Sequence, residues 1–400
     1  MLQQFVTHSS SAGLRGYQRD EALSPPKPRQ MILGLYVLRF AAAVMVMCFH
    51  FCVAQKKPHP APPAFLLHAI WFGLARVEIF FVISGIVIAY SANGVSAYAF
   101  LKGRILRLYP AVWICASITS LVAALTGIFT YTQILHGWIN SLILFPFPPY
   151  ADPSYWTLGI EMMFYLTVFL LLATNTFRYL EGYALVLGVV SATYWIVGRK
   201  LAQETLAYHL WGRKLELTMV PYGCFFALGV LIYIVSRQGF SMKRFMAIAG
   251  FAVAGVVEIG FKTDFYLRAL NAKESALLPQ VVFLAALVFI FASMKFTISK
   301  SNPAAKAIRM LALTTYPLYL IHQIVGLQIL ALAVAHGAGE TTAICFSACC
   351  CFALSLLIAT LAEPPVQNAL RGVFAHFEEA LKSADKESDW YRPTMPVTGG

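Results

Sequence analysis

Arg39 and His50 stand eleven residues apart in a long apolar stretch, in Leu38-Arg39-Phe40 and Cys48-Phe49-His50. Eleven residues at 100° each turn a helix through about 1100°, roughly 20° past three full turns, so both side chains leave from one face about 16 Å apart. A charged group in an apolar stretch is costly and by default marks a functional site. Taken singly, Arg39 reads as an arginine snorkelling towards one membrane face, and His50 as a histidine near the other. On a shared face they suggest a polar lane.

Three further clusters carry chemistry. Arg104 and Arg107 are i, i+3 neighbours in Gly103-Arg104-Ile105-Leu106-Arg107, a spacing that suits bidentate phosphate binding as well as an ordinary topogenic charge cluster. Glu161 places a carboxylate in Tyr155-Trp156-Thr157-Leu158-Gly159-Ile160-Glu161, and His322 follows Tyr319 by three residues in Tyr316-Pro317-Leu318-Tyr319-Leu320-Ile321-His322. Two histidines, a carboxylate and a phosphate-binding candidate together favour acid–base chemistry.

The elements that must position these groups are membrane helices. Hydrophobic residues make up 59% of the 400, charged residues only 12%, and mean hydropathy is +0.69, against roughly 25% charged residues in soluble proteins. Residues 79–101, 217–236, 275–294, 310–339 and 341–362 are free of charge, and a bilayer span needs about 20 such residues. The sequence predicts an all-α, polytopic helix bundle of about ten spans: 31–54, 74–92, 108–129, 155–174, 181–198, 217–236, 245–261, 276–294, 309–334 and 341–361. Run length excludes a barrel, whose strands are about 10 residues of alternating polarity. Residues 131–147 are expected at the interface or re-entrant, ended by Pro146, Pro148 and Pro149.

The net charge of +12 records topology rather than nucleic-acid binding. With the N-terminus inside, the cytoplasmic segments hold 19 Lys or Arg and the external loops 10, an asymmetry of the positive-inside kind. The expected location is a cell inner (cytoplasmic) membrane with both termini cytoplasmic. Residues 1–30 form a cytoplasmic segment, 31–362 the transmembrane domain, and 363–400 a polar tail too short for a catalytic domain. The first apolar run is too long for a cleaved signal. The eight cysteines lie nearly all in predicted spans without a C-x-x-C pattern, so packing is their expected role, and no metal site is expected.

These residues resemble the integral-membrane acyltransferase family 3, which includes bacterial O-acetyltransferases of exopolysaccharide and O-antigen. The resemblance runs from about Gly34 to Pro364. It rests on Arg39-x10-His50, Phe80-Phe81-Val82-Ile83-Ser84-Gly85, and Arg104-x-x-Arg107 leading into Leu108-Tyr109-Pro110. Trp156-Thr157-Leu158-x-x-Glu161, Tyr316-x-x-Tyr319-Leu320-x-His322 and Glu363-Pro364 complete it. Each motif is weak alone, and their order over the whole bundle is specific. The wording around Val77–Gly85 and Trp156–Met162 is closest to exopolysaccharide-type members. Ile86 stands where the family commonly has Phe. Arg76 replaces a usual glycine and is expected near the outer mouth, facing an acidic acceptor.

The resemblance implies acetyl-CoA, or another acyl-CoA, as a cytoplasmic donor, no permanently bound cofactor, and a carbohydrate or lipid-linked sugar acceptor at the outer face. Arg104 and Arg107 would hold the CoA phosphates, and Arg39 would keep the lane electropositive. His50 would act as general base or as transient acyl carrier, with Glu161 orienting it. Tyr316, Tyr319 and His322 would donate to the developing oxyanion. Ser84-Gly85 is read as a helix-packing pair. The rival reading is a transporter or flippase using the same lane for a proton or a lipid-linked sugar.

Overall fold

The computed structural model describes residues 30–52, 71–198, 206–270, 275–294, 296–299 and 302–389. The N-terminal segment up to residue 29, the end of the tail and Arg199-Lys200 lie outside these residues. A short strand β1 (Gln30–Ile32) leads into α1 (Leu33–Cys52), and a 3-10 turn (Trp71–Ala75) opens α2 (Arg76–Ala92). Then come α3 (Ala97–Thr126), α4 (Tyr131–Leu142), a 3-10 turn (Pro153–Tyr155) with α5 (Trp156–Ala173), α6 (Leu180–Thr193), α7 (Leu206–Leu217) and α8 (Gly223–Gln238). The chain continues through α9 (Met242–Leu270), α10 (Leu277–Ser293), β2 (Thr297–Ser299), α11 (Pro303–Ile321), α12 (Ile324–Ala335), α13 (Glu340–Leu357) and α14 (Glu363–Asp389). β1 and β2 pair antiparallel, Gln30 opposite Ser299. All else is helix.

Among the described residues, seven helical segments are long and apolar enough to cross a membrane, or eight if α11 and α12, bent by 76° at their junction, form one broken span. Gly223–Gln238 and Leu277–Ser293, both expected as spans, are apolar but shorter. The expected continuous span over 309–334 is therefore two helices. The third span also starts eleven residues earlier than the apolar run at 108: Ser96 caps α3 by accepting from the Ala99 N–H at 3.2 Å. Lysine and arginine are good helix formers, so Lys102, Arg104 and Arg107 interrupt hydrophobicity without interrupting the helix. The arginine pair lies within the helix rather than before it.

The outward faces are apolar: Leu125, Val186, Val253, Val288 and Leu332 are all more than half exposed, as helices facing hydrocarbon require. The interior is built on α8, whose residues from Gly223 to Val235 are all buried. Its closest neighbour is α2. A Cβ on Gly85 would meet the Phe226 carbonyl oxygen and the Gly229 Cα (3.0 Å), and a Cβ on Gly229 would meet the Val82 carbonyl oxygen. Two glycines facing each other let the backbones approach this closely. This holds α2 in place, with Ser84 on its other side.

Candidate functional site

A cavity of about 580 Å³ opens between α1, α2, α3, α5, α11 and α14, a size typical of small-molecule sites. Five guanidinium groups line it: Arg39, Arg104, Arg107, Arg309 and Arg371. Glu161 is the single carboxylate on its wall. None of the five arginines forms an ion pair among the described residues, and the buried Nε of Arg104 has no hydrogen-bond partner. Like charges gathered this way repel unless an anion joins them.

Phe80, Thr157 and Tyr319 also line the cavity. The Tyr319 ring packs edge-on against Phe80 at 5.9 Å. Its hydroxyl donates to the Ser154 carbonyl at 2.7 Å and lies 2.5 Å from Thr157 Oγ1. Immediately beyond, the Tyr319 and His322 rings are 5.9 Å apart. Neither histidine borders the cavity itself.

His50 and His322 form a pair. His50 Nδ1 lies 2.6 Å from His322 Nε2, and the rings stack at 4.9 Å and 17°. The backbone assigns the tautomers. His322 Nδ1 sits 2.9 Å from the Tyr319 carbonyl and 3.2 Å from that of Leu318. Carbonyls only accept, so Nδ1 carries the proton, and Nε2 of the neutral ring is an acceptor. His50 Nδ1 must then donate to it, which leaves the lone pair of His50 on Nε2. Among the described residues no group occupies that nitrogen. A base held in one tautomer by a second group is the arrangement of a catalytic relay.

Glu161 does not orient His50, contrary to expectation. Its Oε1 accepts from Ser84 Oγ at 2.8 Å and from the Tyr165 hydroxyl. Glu161 lies near the N-terminal end of α5 and His50 near the C-terminal end of α1, and packing turns Glu161 to the cavity and His50 to His322. Ser84, read as a packing residue, is instead a hydrogen-bond donor to Glu161, while Gly85 does the packing. Tyr319 and His322 have their donor hydrogens committed to backbone carbonyls and are not free for an oxyanion. Tyr316 differs. Its hydroxyl is buried without a partner, on the cavity wall beneath the Arg107 guanidinium, which lies 5.7 Å over its ring.

Arg76 is buried rather than at an outer mouth. It donates from Nη1 to the Gly73 carbonyl at 2.9 Å and stacks 3.9 Å over the Phe49 ring. Arg309 and Arg371 escaped the sequence analysis. Arg309 had a signal, being seven residues and hence two turns before Tyr316 on one helix face. Arg371 had none, because it belongs to α14 in the region read as a polar tail. A buried ion pair between Lys262 and Glu78, close to buried Glu258, was also missed. The span expected to end at residue 261 continues to 270.

The polytopic helix bundle thus holds an arginine-lined cavity beside a histidine pair. The family model described as Acyltransferase domain matches residues 32–360, and the chain belongs to that family. Nodulation protein 10 of Rhizobium leguminosarum bv. viciae is 31% identical over 222 residues, 49% of this chain and 58% of that relative. The match thus spans less than two thirds of the relative's length. No solved structure matches.

Proposed function

We propose that this acyltransferase moves an acetyl group from acetyl-CoA, bound from the cytoplasmic side, to a hydroxyl of an envelope or extracellular carbohydrate. The observation that carries the reading is the adjacency of a five-arginine cavity and a tautomer-fixed histidine pair, with Tyr319 on the cavity wall and its ring 5.9 Å from that of His322. Polyphosphate recognition belongs to the arginines, with Arg104 and Arg107 deepest and Arg309 and Arg371 towards the end where α14 begins. The thin pantetheine arm extends past Tyr319 and brings the thioester to His50.

In the base route, His50 Nε2 takes the proton of the acceptor hydroxyl as its oxygen attacks the thioester carbonyl. The C–O bond forms, the C–S bond breaks, and the imidazolium returns the proton to the leaving thiolate. In the carrier route the same nitrogen attacks the thioester carbonyl, the C–S bond breaks and CoA leaves as thiolate; the acceptor oxygen then attacks the acetyl group, the N–C bond breaks, and the hydroxyl proton neutralises the thiolate. His322 accepts from Nδ1 throughout and supports the positive ring. The arginines also hold the site electropositive while negative charge develops on the carbonyl oxygen, and the unpartnered Tyr316 hydroxyl is the donor available at the cavity end. The carbohydrate acceptor rests on the resemblance to exopolysaccharide and O-antigen acetyltransferases. Membranes carrying the wild-type protein are expected to transfer labelled acetyl from acetyl-CoA to a polysaccharide fraction. Label found only in lipid or only as free acetate sinks the acceptor assignment. Label on the protein when acceptor is omitted, lost in His50→Ala, selects the carrier route.

A further inference from the structure

The break between α11 and α12 falls at His322 and Gln323, next to the reacting pair. In an uninterrupted helix the Ile324 N–H would bond to the carbonyl of Leu320. It donates instead to Asp152 Oδ2 at 2.8 Å, from a residue 172 positions away in the chain. Asp152 is fully buried, and its other oxygen, Oδ1, accepts from the Ser154 N–H at 2.9 Å, capping the turn that opens α5. The same turn grips the other side of the break. Ser154 Oγ donates to the Tyr319 carbonyl at 3.1 Å, and the Tyr319 hydroxyl donates to the Ser154 carbonyl at 2.7 Å.

The Tyr319 carbonyl thus receives two donors, Ser154 Oγ and His322 Nδ1. That carbonyl helps set the His322 tautomer. A turn bound on both sides of the break fixes where α11 stops, and so where His322 meets His50. A carboxylate at the start of α12 also suits the positive end of that helix.

We infer that Asp152 is a positioning residue for acyl transfer: by capping the first N–H of α12 while closing the Asp152-Pro153-Ser154 turn, it holds the helix break that sets His322 against His50. The inference rests on the histidine pair being the reacting centre. Asp152→Asn is the informative variant. It is isosteric and its single carbonyl still caps Ser154, but the amide then turns an N–H towards the N–H of Ile324. The local turn survives, and the tie to the break is lost.

The probe is CoA release from acetyl-CoA by the full-length protein in detergent, with kcat and KM measured separately. Asp152→Asn is expected to lower kcat about 10- to 100-fold, the scale of loss from a misplacement of about 1 Å, with KM for acetyl-CoA within about twofold of wild type. Wild-type kcat in Asp152→Asn overturns the assignment, and so does a raised KM at unchanged kcat. Hydrogen exchange of the wild-type protein provides a test that needs no variant. The Ile324 amide should be protected as well as the interior of α11, and exchange as fast as an exposed loop removes the Asp152 hydrogen bond. His50→Ala separates the two levels: turnover retained there defeats the histidine-pair reading itself, whereas turnover lost there but retained in Asp152→Asn defeats only the positioning role.

Discussion

His50 Nδ1 and His322 Nε2 face each other at 2.6 Å although 272 residues separate them in the chain. The contact joins the C-terminal turn of α1 to the break at the end of α11. His322 is anchored by the carbonyls of Leu318 and Tyr319, so His50 is the member of the pair whose second nitrogen is left without a partner among the described residues.

His50→Ala should lower acyl transfer by at least about 100-fold with near-normal expression and membrane insertion, since general acid–base catalysis contributes roughly 10²–10⁴-fold. Turnover of purified His50→Ala above about a tenth of wild type would end its central role. His322→Ala should also lose kcat, while affinity for CoA stays the same, because His322 borders His50 and not the cavity. Calorimetry with CoA beside turnover measurements checks the split.

Charge reversal of both Arg104 and Arg107 to Glu should weaken acyl-CoA binding more than it slows the chemical step. Arg371→Glu, on α14, should weaken binding in the same direction but less, and more visibly at low ionic strength because Arg371 is exposed. Titration of CoA and dephospho-CoA into each variant tests this; a double variant that binds CoA as wild type does would remove the phosphate role.

Gly85→Val should destabilise the bundle without touching the cavity side of α2. Its branched side chain would have to displace the backbone of Phe226 and Gly229, and overpacking of this kind costs typically 1–3 kcal/mol. Thermal unfolding in detergent should show a lower midpoint for Gly85→Val than for Gly182→Val, a position where nothing lies within 4 Å. Equal midpoints would refute the close approach of α2 and α8.

Sidedness joins the topology to the mechanism. The cavity is lined near the start of α3 and by the first turns of α14, whereas His50 lies two residues from the far end of α1. In oriented proteoliposomes, acetyl-CoA supplied only on the face bearing the Ser96 cap should acylate acceptor supplied only on the other. Product formed only when both share a face would refute transfer across the bundle.

Much of this protein was legible in the sequence. Long uncharged runs demand helices in a bilayer, because hydrocarbon offers no partners for unpaired backbone groups, and the eleven-residue step from Arg39 to His50 fixes a common helix face. Arg39, His50, Glu161 and His322 announced themselves by cost alone, whereas buried Glu78, Asp152 and Glu258 did not. Helix starts were less visible. Ser96 and Asn302 set them by capping N–H groups, and a hydropathy run does not register a cap.

What only the tertiary structure decided is partnership. Periodicity places a residue on a face of its own helix but does not say which helix that face meets. His50 therefore gained His322 rather than Glu161, and Glu161 gained Ser84 and Tyr165. Arg371 joined the cavity because α14 continues beyond the last span and packs against α3, with Lys102 paired to Glu378 at 2.6 Å. The break at His322 is also a tertiary product. Pro317 loosens α11, yet the helix runs on past it to Ile321. It ends where a buried carboxylate from the turn before α5 claims the next backbone N–H, and that competition between a local hydrogen bond and a distant one is invisible to any window of the sequence.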